Sequence, residues 1–182
     1  MAKKKDKESD RYYIEAGIDL ARRVIFLDDD VDNLQMGWFF RAVQIMELQD
    51  PEGEITFIIN SFGGEVYSGL SLVDLLLATS CPITTVCAGS AMSMGLILFL
   101  TGDTRIAYPS ATFMAHEVAD GTEGKVGEMK VDLKEAERVN EVLFDLLAAR
   151  TKKTKKWWKT NASPKDFYFD TKKAKTLGVT CE

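Results

Sequence analysis

The stretch ITFIINSFGGEVYSGLSLVDLLLATSCPITTVCAGSAMSMG, residues 55–95, decides the fold class of this chain. It opens with a β-branched, apolar run typical of a buried strand (55–60). After SFGG, the segment EVYSGLSLVDLLLAT (65–79) carries apolar residues at helical spacing. A second strand-like run (83–88) then leads into small residues and a helix that opens near Ser93. Because strands that alternate with helices form parallel βαβ units, this stretch predicts an α/β fold.

The same alternation continues on both sides. Before the stretch lie a predicted strand, RRVIFL (22–27), and a predicted helix, NLQMGWFFRAVQIMEL (33–48). After it, TRIAY and ATFMAH are short and strand-like. The remaining segments are predicted to be one long amphipathic helix followed by two shorter ones: 127–150, TKKTKKWWKT and TKKAKTLG.

Composition indicates a globular protein with one domain, residues 13–182, behind a flexible charged tail, residues 1–12. The chain has 182 residues, of which 46% are apolar and 28% charged. Its net charge of −5 gives no general attraction to nucleic acid. The first residues lack the apolar core of a signal peptide, and LILFL is too short to span a membrane, so we expect no membrane association.

The three cysteines, Cys81, Cys87 and Cys181, lack the spacing of a metal site. Cys81 and Cys87 fall in an apolar, strand-like region, where a free thiol behaves as a small buried side chain. We therefore expect a reducing compartment, the cytoplasm.

Ser93 carries a hydroxyl at the junction of a predicted strand and a predicted helix. Its surroundings, Ala91-Met92-Ser93-Met94-Gly95, approach the G-x-S-x-G nucleophile pattern, with alanine in place of the first glycine. A tight turn of small residues can expose such a hydroxyl to a substrate carbonyl. The alternative is that Ser93 caps the following helix, which is a common use of serine. The local pattern leaves both interpretations open.

Gly63 and Gly64 form a second strand-to-helix turn. Glycines can adopt positive φ angles and leave their amides uncovered. If the two strands are neighbours in a parallel sheet, both turns open at the same edge, where α/β folds bind ligands. The amides of Gly64 and Met94 would then form an oxyanion hole. The alternative is an ordinary glycine loop.

His116 is the one histidine in the chain. A lone histidine is more often structural than catalytic, but a serine nucleophile needs a base, and imidazole suits that role near neutral pH. A carboxylate should orient its ring. Spacing alone does not choose among several glutamates and the following aspartates: Asp103, Asp120, Asp132, Asp166 and Asp170.

Five segments, in order, resemble those of the ClpP family, the caseinolytic Clp protease proteolytic subunit, over nearly the whole chain. They are RRVIFL, INSFGGEVYSGLSLVD, CAGSAMSMG, FMAHE and KDFYFDTKKAKTLGV. The resemblance implies a ClpP/crotonase-like spiral of βαβ units with a protruding long helix, the handle. Carried over by position, it implies these roles: Ser93 as nucleophile, His116 as base, Asp166 as orienting acid, and Gly64 and Met94 as oxyanion-hole amides.

The resemblance also implies a serine endopeptidase that degrades unfolded polypeptides. Substrate would bind as an added strand along two segments, with these contact residues: Gly64, Glu65, Val66, Val118 and Ala119. No metal or organic cofactor is implied. The expected assembly is a homo-oligomer of two stacked heptameric rings with helix 127–150 between them, fed by a ring-shaped ATPase.

Several positions depart from the family pattern. Phe62 stands where proline is usual, and Glu117-Val118 replaces Gln-Pro. The positions of the family's aromatic docking cleft hold Thr56, Ile58 and Ala78. The chain is thus a divergent member by resemblance, and a phage-borne lineage is one origin compatible with this.

Three other functions are compatible with the sequence. The chain could be a non-catalytic ring subunit, although it keeps the serine, histidine and aspartate. It could be a crotonase-like enzyme acting on acyl-CoA. Such an enzyme needs oxyanion amides but does not need a serine, histidine and aspartate set. The basic segment TKKTKKWWKT could bind anions or nucleic acid, but a solvated helix with Trp157 and Trp158 packed inward is favoured.

Overall fold

The computed structural model describes residues 15–119, 121 and 123–181. The tail predicted for residues 1–12 lies outside this range. Within it, the strands are β1 (Ile18–Asp19), β2 (Val24–Leu27), β3 (Ile55–Ser61), β4 (Ile83–Met92), β5 (Thr104–Ala107), β6 (Thr112–Ala115) and β7 (Phe167–Asp170). The helices are α1 (Asn33–Gln49), α2 (Val66–Ala78), α3 (Met94–Phe99), α4 (Val126–Arg150), α5 (Lys155–Ala162) and α6 (Thr171–Leu177).

All seven strands belong to one sheet, in the order β1-β2-β3-β4-β6-β7, with β5 also paired to β4. The pairs from β2 to β6 are parallel, and the two outer strands β1 and β7 are antiparallel to their neighbours. The predicted α/β fold of parallel βαβ units is therefore confirmed. The strands β1 and β7 were not predicted.

The long strand β4 changes partner along its length. Residues 84–87 pair with β5, whereas residues 90–92 pair with β6. The far end of β4 also lies beside the end of β3, where Ser61 pairs with Ala91. This arrangement brings the ends of β3, β4 and β6 together at one edge of the sheet.

Helix α4 is buried along only half of its length. Val131 and Leu133, in its first half, are 66% and 58% exposed, and its first buried residue is Val139. Phe144 and Leu147, further along, pack in the core. The first half of α4 thus extends beyond the core, as expected for a handle.

The basic segment after α4 turns its aromatic residues inward. Trp158 is fully buried, and its Nε1 donates to Thr151 Oγ1 at 2.9 Å. Trp157 packs edge-on against Trp158 and Phe167. The indole rings are therefore used in packing, which is the interpretation favoured from the sequence of this segment.

Cys81 and Cys87 are buried free thiols, as predicted, and Cys181 is free and exposed. Burial raises the pKa of the Cys87 thiol to about 12, so this side chain stays neutral. None of the helices in the described part of the chain has both the length and the apolar composition that crossing a bilayer requires.

Candidate active site

Ser93 lies in the turn between β4 and α3, in a backbone conformation that is rare for a residue with a side chain. Its φ is 51° and its ψ is −124°. The turn is anchored to β6, because the Ser93 amide donates to Met114 O at 2.9 Å. Ser93 occupies the N-cap position of α3, but its hydroxyl makes no capping hydrogen bond. That hydroxyl instead lies 2.7 Å from His116 Nε2.

His116 directly follows β6, and from there its ring lies close to both Ser93 and Asp166. Its other ring nitrogen, Nδ1, lies 4.0 Å from Asp166 Oδ1. The antiparallel pairing of β6 and β7 sets Ala115 opposite Phe167, so His116 and Asp166 occupy facing positions just beyond the pair. At 4.0 Å the two groups attract each other but form no hydrogen bond, which needs about 2.7–3.2 Å. The Asp166 side chain is 53% exposed.

Among the described candidate aspartates, Asp166 is the one that faces the histidine ring. Asp103 accepts a hydrogen bond from the backbone at the start of β4, and Asp170 caps the first turn of α6. Asp132 lies on α4 and lines a groove whose lining does not include His116. Asp120 lies outside the described residues.

The glycine turn after β3 packs directly against the Ser93 turn. Gly63 and Gly64 have φ angles of 105° and 146°, which disfavour any other residue. A Cβ atom added to Gly63 would lie 2.7 Å from Ser93 Cβ and 3.0 Å from Met94 N. The amides of Gly64 and Met94 donate a hydrogen bond to no described residue.

A groove of about 410 Å³ runs between this turn and the segment after β6. Its lining includes all five residues expected to bind substrate: Gly64, Glu65, Val66, Val118 and Ala119. Helix α4 closes one side of it. Asn140 of α4 holds this wall in place, since its Oδ1 accepts from the Val118 amide at 2.7 Å.

A hydrogen bond crosses the groove further along. Tyr67 donates its hydroxyl to Glu135 Oε1 at 2.8 Å, and Arg138 donates to both carboxylate oxygens of Glu135. Hydrogen bonds from Arg138 and then Tyr67 lower the pKa of Glu135 to about 2. The same contact with Glu135 raises the pKa of Tyr67.

Ser93 and His116 themselves line a smaller, mostly apolar cavity of about 20 Å³. Leu96 and Ile97 of α3 and Leu143 and Leu147 of α4 line it. Helix α4 therefore bounds both this cavity and the groove.

Several contacts at this site were not predicted from the sequence. Besides the Tyr67 and Asn140 contacts, Ser163 donates its hydroxyl to Glu117 Oε2 at 2.6 Å. The partners in these three contacts are 68, 22 and 46 positions apart in the chain. They belong to no motif, so the sequence carries no signal for them.

One edge of the sheet of parallel βαβ units thus holds a serine hydroxyl against an imidazole, with a carboxylate beyond the ring. The chain belongs to the Clp protease family, because the sequence model described as Clp protease matches residues 7–181. The resemblance to ClpP is therefore confirmed.

Among curated proteins, the chain is similar to the ATP-dependent Clp protease proteolytic subunit of Deinococcus radiodurans. The two are 34% identical over 134 residues, which cover 72% of this chain and 66% of that relative. The chain thus matches just under two thirds of the relative's length.

Proposed function

We propose that this chain is a serine endopeptidase that hydrolyses unfolded polypeptides by acyl transfer. The observation that carries the proposal is the 2.7 Å contact between Ser93 Oγ and His116 Nε2. A serine hydroxyl is a weak nucleophile until a base within hydrogen-bond reach can take its proton. This contact supplies such a base.

In the proposed reaction, Ser93 Oγ attacks the peptide carbonyl while His116 Nε2 accepts its proton. The amides of Gly64 and Met94 donate to the oxyanion, and losing such a donor typically costs about 3 kcal/mol. His116 then gives its proton to the leaving amine, and water releases the acyl group by the same steps. This chemistry requires no metal ion or organic cofactor.

Asp166 holds the His116 ring in the tautomer that accepts a proton at Nε2. Its separation of 4.0 Å from Nδ1 must shorten to about 3 Å for a hydrogen bond. Catalytic hydrogen bonds are often long in the free enzyme and tighten when substrate binds.

Substrate binds in the 410 Å³ groove as an extended strand. Residues 64–66 on one side and 118–119 on the other present main chain to it. Because pairing of this kind recognises peptide backbone more than side chains, broad specificity follows.

The proposed enzyme works in the cytoplasm as two stacked heptameric rings. The exposed apolar residues on the first half of α4 support a ring-to-ring role for this helix. A partner ATPase would unfold and feed the substrate, with ATP consumed by that partner.

A fluorophosphonate probe followed by mass spectrometry tests the proposal. We expect the label on Ser93, and we expect Ser93→Ala to lose both labelling and cleavage of a short fluorogenic peptide while it still assembles. Ser71→Ala, at an exposed serine on α2, is the matched control and should keep both. Retained cleavage in Ser93→Ala would refute the assignment, and an assembled wild type that is neither labelled nor active would indicate a non-catalytic ring subunit.

A further inference from the structure

Glu117 follows the histidine directly, and its carboxylate reaches the loop that carries Asp166. Its Oε2 accepts the hydroxyl of Ser163 at 2.6 Å, and both side chains are half-buried. A hydroxyl that donates to a carboxylate at this distance makes a charge-assisted hydrogen bond, roughly twice as strong as a neutral one.

This contact completes a pair of cross-connections around His116 and Asp166. On one side of the histidine, Ala115 pairs with Phe167 in the sheet. On the other side, Glu117 holds Ser163. The residues that flank His116 in the chain thus hold residues on both sides of Asp166.

Asp166 depends on such support because little else holds it. Its side chain is 53% exposed, and no described residue donates a hydrogen bond to it. Pro164 and Lys165, which join it to Ser163, are both exposed. Without the Glu117 contact, the segment 163–166 would be held only at its two ends, by Ala162 of α5 and Phe167 of β7.

We propose that Glu117 is a positioning residue that acts through Ser163 to set the distance between Asp166 and the His116 ring. The inference rests on the proposed peptidase function, in which Asp166 orients His116. It gives a purpose to a carboxylate at a position where the family pattern has glutamine.

Kinetics of four variants test the inference: Glu117→Ala, Ser163→Ala, the double variant and Glu117→Gln. We expect each single alanine variant to lower kcat on a short fluorogenic peptide roughly 10- to 100-fold, with KM within about twofold, because small misplacements of a catalytic group cost this much. The kcat of the double variant should be no lower than that of the less active single variant, because the two single substitutions remove the same hydrogen bond. Glu117→Gln should recover most of the activity, because its amide oxygen can accept the same hydroxyl.

Lys165→Ala is the control for general disturbance of the loop and should keep the wild-type kcat. A purely structural role would instead lower the melting temperature of the alanine variants and leave kcat unchanged. Wild-type kcat in Glu117→Ala, or losses that multiply in the double variant, would overturn the inference.

A crystal structure of Glu117→Ala gives a readout that does not depend on activity. We expect segment 163–166 to be displaced and Asp166 to lie farther than 4.0 Å from His116 Nδ1. An unchanged loop would refute the positioning role even if the protein proved inactive. If Ser93 is labelled and wild type is active while Glu117→Ala matches it, this inference fails and the proposed function stands.

Discussion

The substitution Gly63→Ala tests the packing of the two turns that form the candidate site. The new Cβ would lie 2.7 Å from Ser93 Cβ and 2.9 Å from Met92 O, closer than real Cβ atoms approach either. The φ of 105° adds backbone strain for any residue with a side chain. Overpacking costs about 1–3 kcal/mol and a strained φ about 1–3 kcal/mol, so we expect a loss of roughly 2–6 kcal/mol in the free energy of unfolding.

The loss of activity should exceed the loss of stability. The turns can relieve the clash only by separating, which moves the Ser93 hydroxyl away from the Gly64 amide. A displacement of about 1 Å at a reacting group lowers the rate about 100-fold. We therefore expect kcat/KM for a short peptide to fall at least 100-fold at a temperature where the variant remains folded.

The assay combines peptide hydrolysis with thermal unfolding, and Gly127→Ala is its matched control. A Cβ atom on Gly127 would meet nothing within 4 Å, and alanine favours the helical conformation of α4. This control should keep its activity and its melting temperature, or gain slightly in the latter. Wild-type activity and stability in Gly63→Ala would refute the close packing of the turns.

Two further predictions concern carboxylates around the site. Asp166→Asn should lower kcat by several orders of magnitude, because the amide favours the wrong histidine tautomer. Asp170→Asn should be nearly neutral in a peptide assay, since asparagine caps a helix as well as aspartate does. The reverse result would assign the orienting acid to Asp170. The lowered pKa of Glu135 means that its contacts stabilise the fold fully above about pH 5 and lose this effect as the pH falls toward about 2. The difference in melting temperature between wild type and Glu135→Gln should therefore shrink over that range, and a constant difference would contradict the assigned contacts.

Helices and strands with a clear apolar periodicity were predicted well from the sequence. The strand predicted at 55–60 is Ile55–Ser61, and the helix predicted at 33–48 is Asn33–Gln49. Helix α5 begins at Lys155 rather than at 151, because Thr154 caps it by accepting from the Trp157 amide. The prediction had treated that threonine as part of the helix.

Pairing between strands that are distant in the chain was harder to predict from the sequence. Strand β4 runs to Met92, beyond the predicted end at 88, because residues 90–92 pair with β6. Small residues such as Gly89 and Ser90 show no apolar alternation from which this extension of β4 could be predicted. The two-residue strand β1 is too short for any periodicity.

At the candidate site, too, local features were predicted and contacts between distant residues were not. The turn chemistry of Ser93 and of the glycine pair was visible in the sequence, but the local pattern could not choose between a nucleophile and a helix cap. The contact between Ser93 and His116 depends on the pairing of β4 with β6, which spacing does not encode. Only the resemblance to a family singled out Asp166 among the aspartates.

The exposed half of α4 leads to the last prediction, which joins assembly to activity. Val131 is 66% exposed in the single chain, so Val131→Asp should leave the fold of each subunit intact. If Val131 is buried between rings, an unpaired carboxylate there costs several kcal/mol. We expect light scattering to show a species far smaller than the wild-type assembly.

Activity should fall with the assembly because α4 also bounds the site. Asn140 of this helix holds the Val118 amide, and Leu143 and Leu147 line the cavity beside Ser93. A handle without its ring contacts would therefore loosen the groove wall. Val131→Ile, which keeps an apolar side chain at this position, should retain both assembly and peptide cleavage. A fully active wild-type species of 20.3 kDa would refute the coupling, and would make this chain an ungated peptidase with the same fold.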